Sequence, residues 1–143
     1  MEFKTLINEH IDDVIRIDKV ITGVDHSDYL HEQFEQQLLV SDNELMIGAF
    51  EKDKIVGFLL ASMRQLAFGQ AMKVAYLEMI EIDPSLQKSG IGTLLLNEFK
   101  KRCDRLGINR VITLVDWQQT LMLNFFKSQG FDKGNMIQLE MSI

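Results

Sequence analysis

The sequence predicts one mixed α/β domain, because short β-rich segments alternate with segments whose apolar residues recur at helical spacing. The chain has 143 residues, of which 46% are hydrophobic, and this is enough to bury a core. No Pro- or Gly-rich linker, internal repeat or low-complexity tract marks a boundary. We therefore expect a single domain over residues 1–143, with the element order β-α-α-β-β-β-loop-α-β-α-β and room for one further strand.

Composition excludes several classes of protein. The formal net charge is −6, from 15 Lys+Arg and 21 Asp+Glu, which argues against a nucleic-acid-binding surface. One cysteine rules out a disulfide framework, and the three histidines form no metal pattern, so we expect no metal. No apolar stretch approaches the roughly 18 residues of a spanning helix, and the N-terminus carries no secretory signal. We expect a cytoplasmic protein with neither nucleic acid nor membrane as a partner.

The elements of the first half follow from periodicity and turn residues. Apolar side chains recur every three or four residues in Ile11–Ile21, which predicts a helix that Thr22–Asp25 interrupts. Two β-rich segments around Lys52-Asp53 predict a hairpin. The predicted elements are a strand at Phe3–Ile7, helices at Ile11–Ile21 and Ser27–Val40, and strands at Leu45–Glu51 and Lys54–Met63.

The second half contains a strand, a loop and a helix in succession. Lys73–Ile82 is β-rich and ends at Pro84, which has no amide hydrogen for a strand ladder. After Gly90, apolar residues step by four along an amphipathic helix that Gly107 ends. The other predicted elements are a loop at Leu66–Met72, a strand at Arg110–Val115, a helix from about Gln118 to Gln129, and one or two strands in Phe131–Ile143.

The segment between Ile82 and the helix carries the candidate chemistry. The first backbone amides of a helix have no internal acceptor, and together with the helix dipole they form an anion site. Two glycines flank Ile91, so that phosphate oxygens can come close, and the side chains of Gln87, Lys88 and Ser89 offer further donors. The alternative is a tight turn in which glycine serves only the backbone conformation.

Two nucleotide-binding patterns fail in this loop. The dinucleotide fingerprint G-x-G-x-x-G has Leu95 in place of its third glycine. A P-loop requires lysine after its second glycine, where this chain has Thr93. A nucleotide-dependent enzyme is therefore the weaker hypothesis.

The loop Gln87-x-x-Gly90-x-Gly92 resembles the pyrophosphate loop of the GNAT superfamily of acyl-CoA N-acyltransferases, whose pattern is Gln/Arg-x-x-Gly-x-Gly/Ala. Phe125–Phe131 resembles the end of the fourth helix of that family, and Asp116–Gln119 resembles the segment before it. The order of elements matches over nearly the whole chain. The resemblance implies a GNAT fold, a mixed and mostly antiparallel twisted sheet of six or seven strands with about four helices. Its parallel fourth and fifth strands splay apart.

The resemblance implies acetyl-CoA as the cosubstrate, lying in the gap between those two strands. The pantetheine arm would pair with the backbone of the strand Lys73–Ile82, and the pyrophosphate would lie on loop amides. Gln119 stands where the family often has an asparagine that bonds the pantetheine arm, and Asn124 is a nearby alternative. The cofactor-binding residues that the resemblance implies are Ile80, Glu81, Ile82, Gln87, Lys88, Ser89, Gly90, Ile91, Gly92, Thr93, Gln119, Asn124 and Phe126.

Glu78 and Glu81 are the candidate catalytic bases. Partial burial raises the pKa of a carboxylate and improves it as a base near neutral pH. Glu78 lies nine residues before Gln87, where several family members carry their base. Glu81 would face the opposite way in a regular strand, unless a β-bulge changes the alternation. The alternative is that one or both are solvated or salt-bridged.

Phe126 departs from the family, which usually has a general-acid tyrosine there, and phenylalanine cannot donate a proton. Two functions therefore stay open. One is an N-acetyltransferase that transfers an acetyl or other acyl group from acetyl-CoA to a primary amine of a small molecule or peptide by direct attack. The other is a catalytically weak or inactive acyl-CoA-binding sensor of the same fold. The resemblance also places the loop with His26 beside the acceptor site and allows a homodimer through the C-terminal strands.

Overall fold

The computed structural model describes residues 1–39, 44–67 and 71–143, with only the backbone described at 65–67 and 71–72. Two compact units make up the chain, Met1–Thr113 and Leu114–Ile143. The first unit contains β1 (Glu2–Thr5), α1 (Ile11–Thr22), α2 (Ser27–Leu39), β2 (Met46–Glu51), β3 (Lys54–Ala67), β4 (Ala71–Ile82), α3 (Ile91–Arg105) and β5 (Val111–Thr113). The second unit contains α4 (Thr120–Ser128).

The five strands of the described residues form one sheet in the order β1-β2-β3-β4-β5. The first three pairings are antiparallel, and β4 and β5 are parallel. Short 3₁₀ turns precede α1 at Asn8–His10 and follow β4 at Pro84–Leu86. The mixed α/β class, the four helices and the parallel fourth and fifth strands are confirmed.

One hydrophobic core joins α1 and α2 to the sheet, because the apolar stripe of each helix must be buried. Its buried members are Leu6, Ile11, Val14, Ile17, Leu30, Phe34, Met46, Phe50, Ile55, Phe58 and Leu60. The apolar residues Val20 and Ile21 of α1 are 63% and 37% exposed, whereas Asp18 is only 1% exposed. The buried stripe of α1 therefore carries one acidic side chain.

A buried arginine ties α3 to the start of the sheet. The guanidinium of Arg102 donates to Thr5 Oγ1 at 2.9 Å, to the carbonyl oxygen of Glu44 at 2.8 Å and to Glu98 Oε1 at 3.0 Å. A buried guanidinium requires such acceptors, since its hydration is lost. These bonds hold the helix whose N-terminus follows the predicted anion-binding loop.

The predicted hairpin is present. The predicted loop at Leu66–Met72 is wrong at both ends, because the residues there belong to strands. Lys52 and Asp53 take positive φ angles of 50° and 64°, as a two-residue turn between twisted strands requires. The β3–β4 ladder then continues to the pair Ala67–Ala71, so strand replaces most of the predicted loop at Leu66–Met72. Gly69, whose residue type predicted a turn, lies outside the described residues, as does the predicted helix end at Val40.

The strands predicted in Phe131–Ile143 are wrong, since residues 131–143 of the structure contain no strand. The sheet of the described residues has five strands instead of six or seven. Alternating apolar residues predict a strand face, but a strand also requires a partner for its backbone groups. Ile137, Leu139, Met141 and Ile143 are instead almost fully exposed.

Candidate functional site

Strand β4 is paired along β3 but meets β5 over only three residues. The parallel pairs are Ala75–Val111, Tyr76–Ile112 and Leu77–Thr113. The hydroxyl of Thr113 then donates to the carbonyl oxygen of Leu77 at 2.8 Å, at the last of these pairs. From Glu78 to Ile82, no strand among the described residues of Met1–Thr113 pairs with the β4 edge that faces away from β3. This edge includes the predicted pantetheine-binding residues.

A β-bulge in β4 falls at Glu78. Leu60 of β3 pairs with Met79, and Ala61 pairs with Leu77, so Glu78 is the extra residue on β4. A bulge shifts the alternation of side chains by one position. The sequence analysis predicted that Glu81 faces the same way as Glu78 only if a β-bulge shifts the alternation. That bulge is present.

Contacts of the two carboxylates agree with this shift. The Glu78 carboxylate accepts a hydrogen bond from Tyr29 of α2, and the pKa of Glu81 responds to Asp18 of α1. Both side chains therefore lie on the sheet face that α1 and α2 cover. The sequence predicted this arrangement only as a possibility, because the residue pattern does not reveal a β-bulge.

Three donors surround the Glu78 carboxylate. Its Oε2 accepts from the Tyr29 hydroxyl at 3.1 Å, and its Oε1 accepts from the Ser62 hydroxyl at 3.4 Å. Arg64 Nη2 lies 3.7 Å from Oε1, and its guanidinium stacks over the Tyr76 ring at 4.1 Å from the ring centre. Burial and the Glu78 charge raise the pKa of Tyr29 to about 12, so the phenol remains a donor. The Glu78 carboxylate is therefore in contact with two hydroxyls and one guanidinium.

Glu81 has an acidic side chain as its neighbour, whereas Glu78 has hydrogen-bond donors. Burial, together with a side-chain hydrogen bond to Asp18 and the negative charge of Asp18, raises the pKa of Glu81 to about 8. Asp18 is buried, and its Oδ2 lies 2.6 Å from Nδ1 of His26. In the described part of the chain, Glu81 Oε2 and Asp18 Oδ1 are buried without a hydrogen-bond partner.

The turn after β4 is closed by its own side chains. Asp83 accepts from the Ser85 amide at 3.0 Å and from the Ser85 hydroxyl at 2.8 Å. Gln87 Nε2 donates to the carbonyl oxygen of Ile82 at 3.4 Å, and the Ser89 hydroxyl donates to the carbonyl oxygen of Leu86. Two of the predicted side-chain donors therefore make bonds within the loop in this structure.

Two residues of the turn that leads into helix α3 have left-handed backbone. Lys88 has φ 67° and Gly90 has φ 86°, a conformation that glycine adopts without strain. The first helical bond runs from the Leu94 amide to the carbonyl oxygen of Gly90 at 3.1 Å. The amides of Ile91 and Gly92 therefore precede the first helical donor and have no acceptor within the helix.

Gln119, Asn124 and Phe126 belong to the second unit. Phe126 is 5% exposed and packs against Phe125 and Phe131, with ring centres 5.5 and 4.9 Å apart. Gln119 precedes α4, and Asn124 is an exposed residue within it. The predicted contacts of these three residues with acyl-CoA stay predictions.

Sequence analysis missed four residues that contact the two carboxylates: Asp18, Tyr29, Ser62 and Arg64. Only Asp18 leaves a signal, because it follows Val14 by four residues and so falls on the apolar stripe of α1. An acidic residue in such a stripe indicates either a partner or a function.

Other features do not compete for the site. A cavity of about 420 Å³ contains none of the predicted residues; it is lined by Glu51, Lys52, Lys54, Val56, Asp83, Ser85 and Leu86. Within the described ranges, no group of three or more His, Cys, Asp or Glu side chains is placed to hold a metal ion. No helix in those ranges is both long enough and apolar enough to span a bilayer.

The mixed sheet of the described residues, with β4 and β5 parallel and α3 connecting them after a glycine, matches the fold of the acyl-CoA N-acyltransferase class. The sequence matches the profile of the Acetyltransferase (GNAT) family over residues 11–131. The chain belongs to this family.

Solved structures share the fold at low sequence identity. A transcriptional regulator from Bacillus halodurans C-125 is 18% identical, with a TM-score of 0.81 over 99% of each chain. The apo aminoglycoside 6'-N-acetyltransferase of Acinetobacter haemolyticus is 18% identical, with a TM-score of 0.79 over 100% of this chain and 99% of that chain. The aminoglycoside N-acetyltransferase AAC(6')-Iy in complex with CoA is 16% identical, with a TM-score of 0.81 over 99% of this chain and 93% of that chain. Comparison of the sequence with curated proteins finds no significant match.

Proposed function

We propose that this chain is an acetyl-CoA-dependent N-acetyltransferase that acts on a primary amine of a small molecule or peptide. The observation that carries the proposal is the course of β4, whose edge without a β5 partner at Glu78–Ile82 leads into the α3 N-terminus. A thioester cosubstrate has an extended amide-bearing arm and a diphosphate, and this one segment offers a partner for each. Two of the neighbours described above are aminoglycoside acetyltransferases, which supports a small-molecule amine.

Backbone groups hold the cosubstrate in this proposal. The pantetheine amides pair with Ile80, Glu81 and Ile82, as an added strand would. The diphosphate accepts hydrogen bonds from the amides of Ile91 and Gly92, where the helix dipole also favours an anion. Because the diphosphate lies beyond the end of β4, the arm runs back along the strand and brings the thioester towards the two carboxylates.

We assign different tasks to those carboxylates. A base requires a pKa near neutral, and burial beside Asp18 raises the pKa of Glu81 to about 8. Glu78, whose carboxylate accepts from two hydroxyls and is paired with Arg64, attracts the protonated amine of the acceptor. The sequence favoured Glu78 as the base, and the surroundings of the two side chains favour the reverse order.

The reaction then proceeds by direct attack. Glu81 takes a proton from the substrate ammonium, and the neutral amine attacks the thioester carbonyl. A backbone amide near Ile80 polarises the carbonyl oxygen as negative charge develops on it. The C–S bond breaks as the amide forms, and the CoA thiolate takes a proton from water, because Phe126 has no hydroxyl.

The test combines binding with turnover. Acetyl-CoA affinity is measured by calorimetry for the wild type and for Gly92→Val, whose added side chain blocks the approach of the diphosphate. We expect at least a tenfold loss of affinity, or about 1.4 kcal/mol, with an unchanged melting temperature. Leu94→Val is the matched control, because Leu94 is exposed on the same helical turn and lies after the amides in question. Equal affinity in wild type and Gly92→Val contradicts the proposed loop.

Because Phe126 cannot donate a proton, a second function is also tested, that of an acyl-CoA-binding sensor without turnover. Release of free CoA thiol is measured with acetyl-CoA and a panel of a polyamine, an aminoglycoside and a peptide with a free N-terminus. Turnover with any of these supports the enzyme. Tight acetyl-CoA binding with no thiol release across the panel supports the sensor.

We also propose that the chain forms a homodimer through Phe131–Ile143. Four exposed apolar side chains alternate there with polar ones, and a contiguous exposed apolar surface usually marks an interface. Light scattering is expected to give a dimer for the wild type and a monomer for a Leu139→Lys, Met141→Lys double variant. A monomeric wild type contradicts this proposal.

A further inference from the structure

We propose that Asp18 and His26 are positioning residues that hold the Glu81 carboxyl and carry its proton from β4 to solvent. The inference rests on the proposed function and extends it to two residues outside the cosubstrate site. All three side chains belong to the first unit of the chain.

Asp18 is the buried centre of the cluster. It is 1% exposed on the apolar stripe of α1, where an isolated carboxylate is costly unless it is paired. Its Oδ2 lies 2.6 Å from His26 Nδ1, a short contact typical of a charge-assisted hydrogen bond. Its Oδ1 has no partner among the described residues. One side of this carboxyl is therefore satisfied and the other is open.

Glu81 lies on that open side. Its side chain is hydrogen-bonded to Asp18, and its own Oε2 is also buried without a partner in the described ranges. Two carboxylates at hydrogen-bond distance cannot both be ionised at low cost, so one proton is held between them. That proton supplies the donor that both oxygens lack.

His26 connects the pair to the surface. The Thr22 hydroxyl donates to the carbonyl oxygen of Asp18 at 2.9 Å, and the Gly23 amide donates to the carbonyl oxygen of Lys19 at 2.8 Å. With Gly23 at φ 72°, the chain turns back and brings His26 against Asp18, eight residues earlier. The His26 side chain is 39% exposed, so its ring also reaches water.

The proton path balances without any other reactant. The proton shared by the two carboxyls passes through Asp18 to His26, which leaves Glu81 free to take the proton of the substrate ammonium, and that proton becomes the shared one. The imidazolium then releases a proton to water or buffer, which restores the starting charges. Imidazole suits the last step, because it is the side chain that ordinarily exchanges protons with water near neutral pH.

Charged groups on the elements around β4 have other partners. On α1, Arg16 is paired with Asp13 and with Asp83, each at 3.7 Å. On β3, Arg64 is paired with Glu78, and on α3 Arg102 is paired with Glu98. In the part of the chain that the structure describes, Asp18 is the one charged group that raises the pKa of Glu81.

The first experiment measures the coupling without turnover. The carboxyl carbons of glutamate are labelled with ¹³C, the Glu81 signal is assigned by its loss in Glu81→Gln, and its titration is followed by NMR. Asp18→Asn removes a negative charge beside Glu81, so we expect the Glu81 midpoint to fall by roughly one pH unit or more. An unchanged midpoint overturns the proposal.

The second experiment measures the path. In dilute buffer we expect His26→Asn to lower kcat about tenfold with KM for the amine unchanged, and added imidazole to restore kcat. His31→Asn is the matched control, since His31 is an exposed histidine of α2, and it should behave as wild type.

The outcomes separate the two proposals. Turnover by the wild type with unchanged His26→Asn kinetics in every buffer contradicts the path alone. Absence of turnover by the wild type contradicts the proposed function. If Asp18→Asn fails to fold, His26→Asn carries the comparison, because it changes a partly exposed side chain.

Discussion

Glu78 and Glu81 lie three residues apart on one strand and one sheet face, yet their surroundings differ in kind. Two hydroxyls and a guanidinium surround Glu78, and each of these groups is a hydrogen-bond donor. Glu81 has a buried carboxyl as its neighbour, which favours a bound proton. The comparison teaches that neighbouring donors and acids, more than residue type or strand position, determine what a carboxylate can do.

The largest effect expected from this difference is on the chemical step. Glu81→Gln keeps the size of the side chain but cannot take a proton, so kcat should fall by about 10²–10⁴. KM for the amine should change little, because Glu78 still holds the ammonium. Steady-state kinetics with the best amine of the panel measure both quantities.

Glu78→Gln is the control for that experiment, since it removes a carboxylate from the same strand and face. A loss of kcat in Glu78→Gln with wild-type kcat in Glu81→Gln would reverse the assignment and make Glu78 the base. Equal losses in both variants would remove the distinction between them.

The next effect is on substrate affinity. Glu78→Gln removes the charge that attracts the amine, and a charge-assisted hydrogen bond contributes about 1.5–3 kcal/mol. KM for the amine should therefore rise at least about tenfold while kcat falls much less. Tyr29→Phe is the matched variant, because it removes one donor to Glu78 and leaves the charge, and its effect on KM should be smaller. A larger effect of Tyr29→Phe would assign the contact with the amine to the phenol.

Local patterns predicted the elements that are stabilised locally. The α3 stripe, the hairpin turn and the glycine-flanked helix start follow from spacing and turn residues that act over a few positions. The long β3–β4 ladder and the missing C-terminal strands depend on pairing between distant segments. Such pairing leaves no local signal, so Leu66–Met72 and Phe131–Ile143 are predicted wrongly.

The site residues also divide into those with a local sequence signal and those brought together by packing of distant segments. The loop Gln87–Thr93 and both glutamates were predicted from sequence, through their residue types, their spacing and the family resemblance. The meeting of Asp18, His26 and Glu81 depends on how α1 packs on β4 and on the turn after Thr22. Only the position of Asp18 within an apolar stripe could have suggested it.

The smallest effect is a dependence of stability on pH. The ordinary pKa of Glu81 is 4.5 and folding raises it to about 8, so the folded state binds the proton more tightly than the unfolded state. The stabilisation from this proton is full below pH 4.5 and is lost as the pH rises through 8. Allowing for solvent screening, it is on the order of 1–2 kcal/mol, or roughly 2–8 °C in melting temperature.

Calorimetric melting curves at pH 5 and pH 9 test this for the wild type, Glu81→Gln and Glu78→Gln. Other groups also titrate over this interval, so the comparison between variants isolates the contribution of Glu81. We expect the fall in melting temperature from pH 5 to pH 9 to shrink in Glu81→Gln and to persist in Glu78→Gln. The same fall in all three proteins would mean that Asp18 does not hold a proton on Glu81, and the two carboxylates would then differ only in their donors.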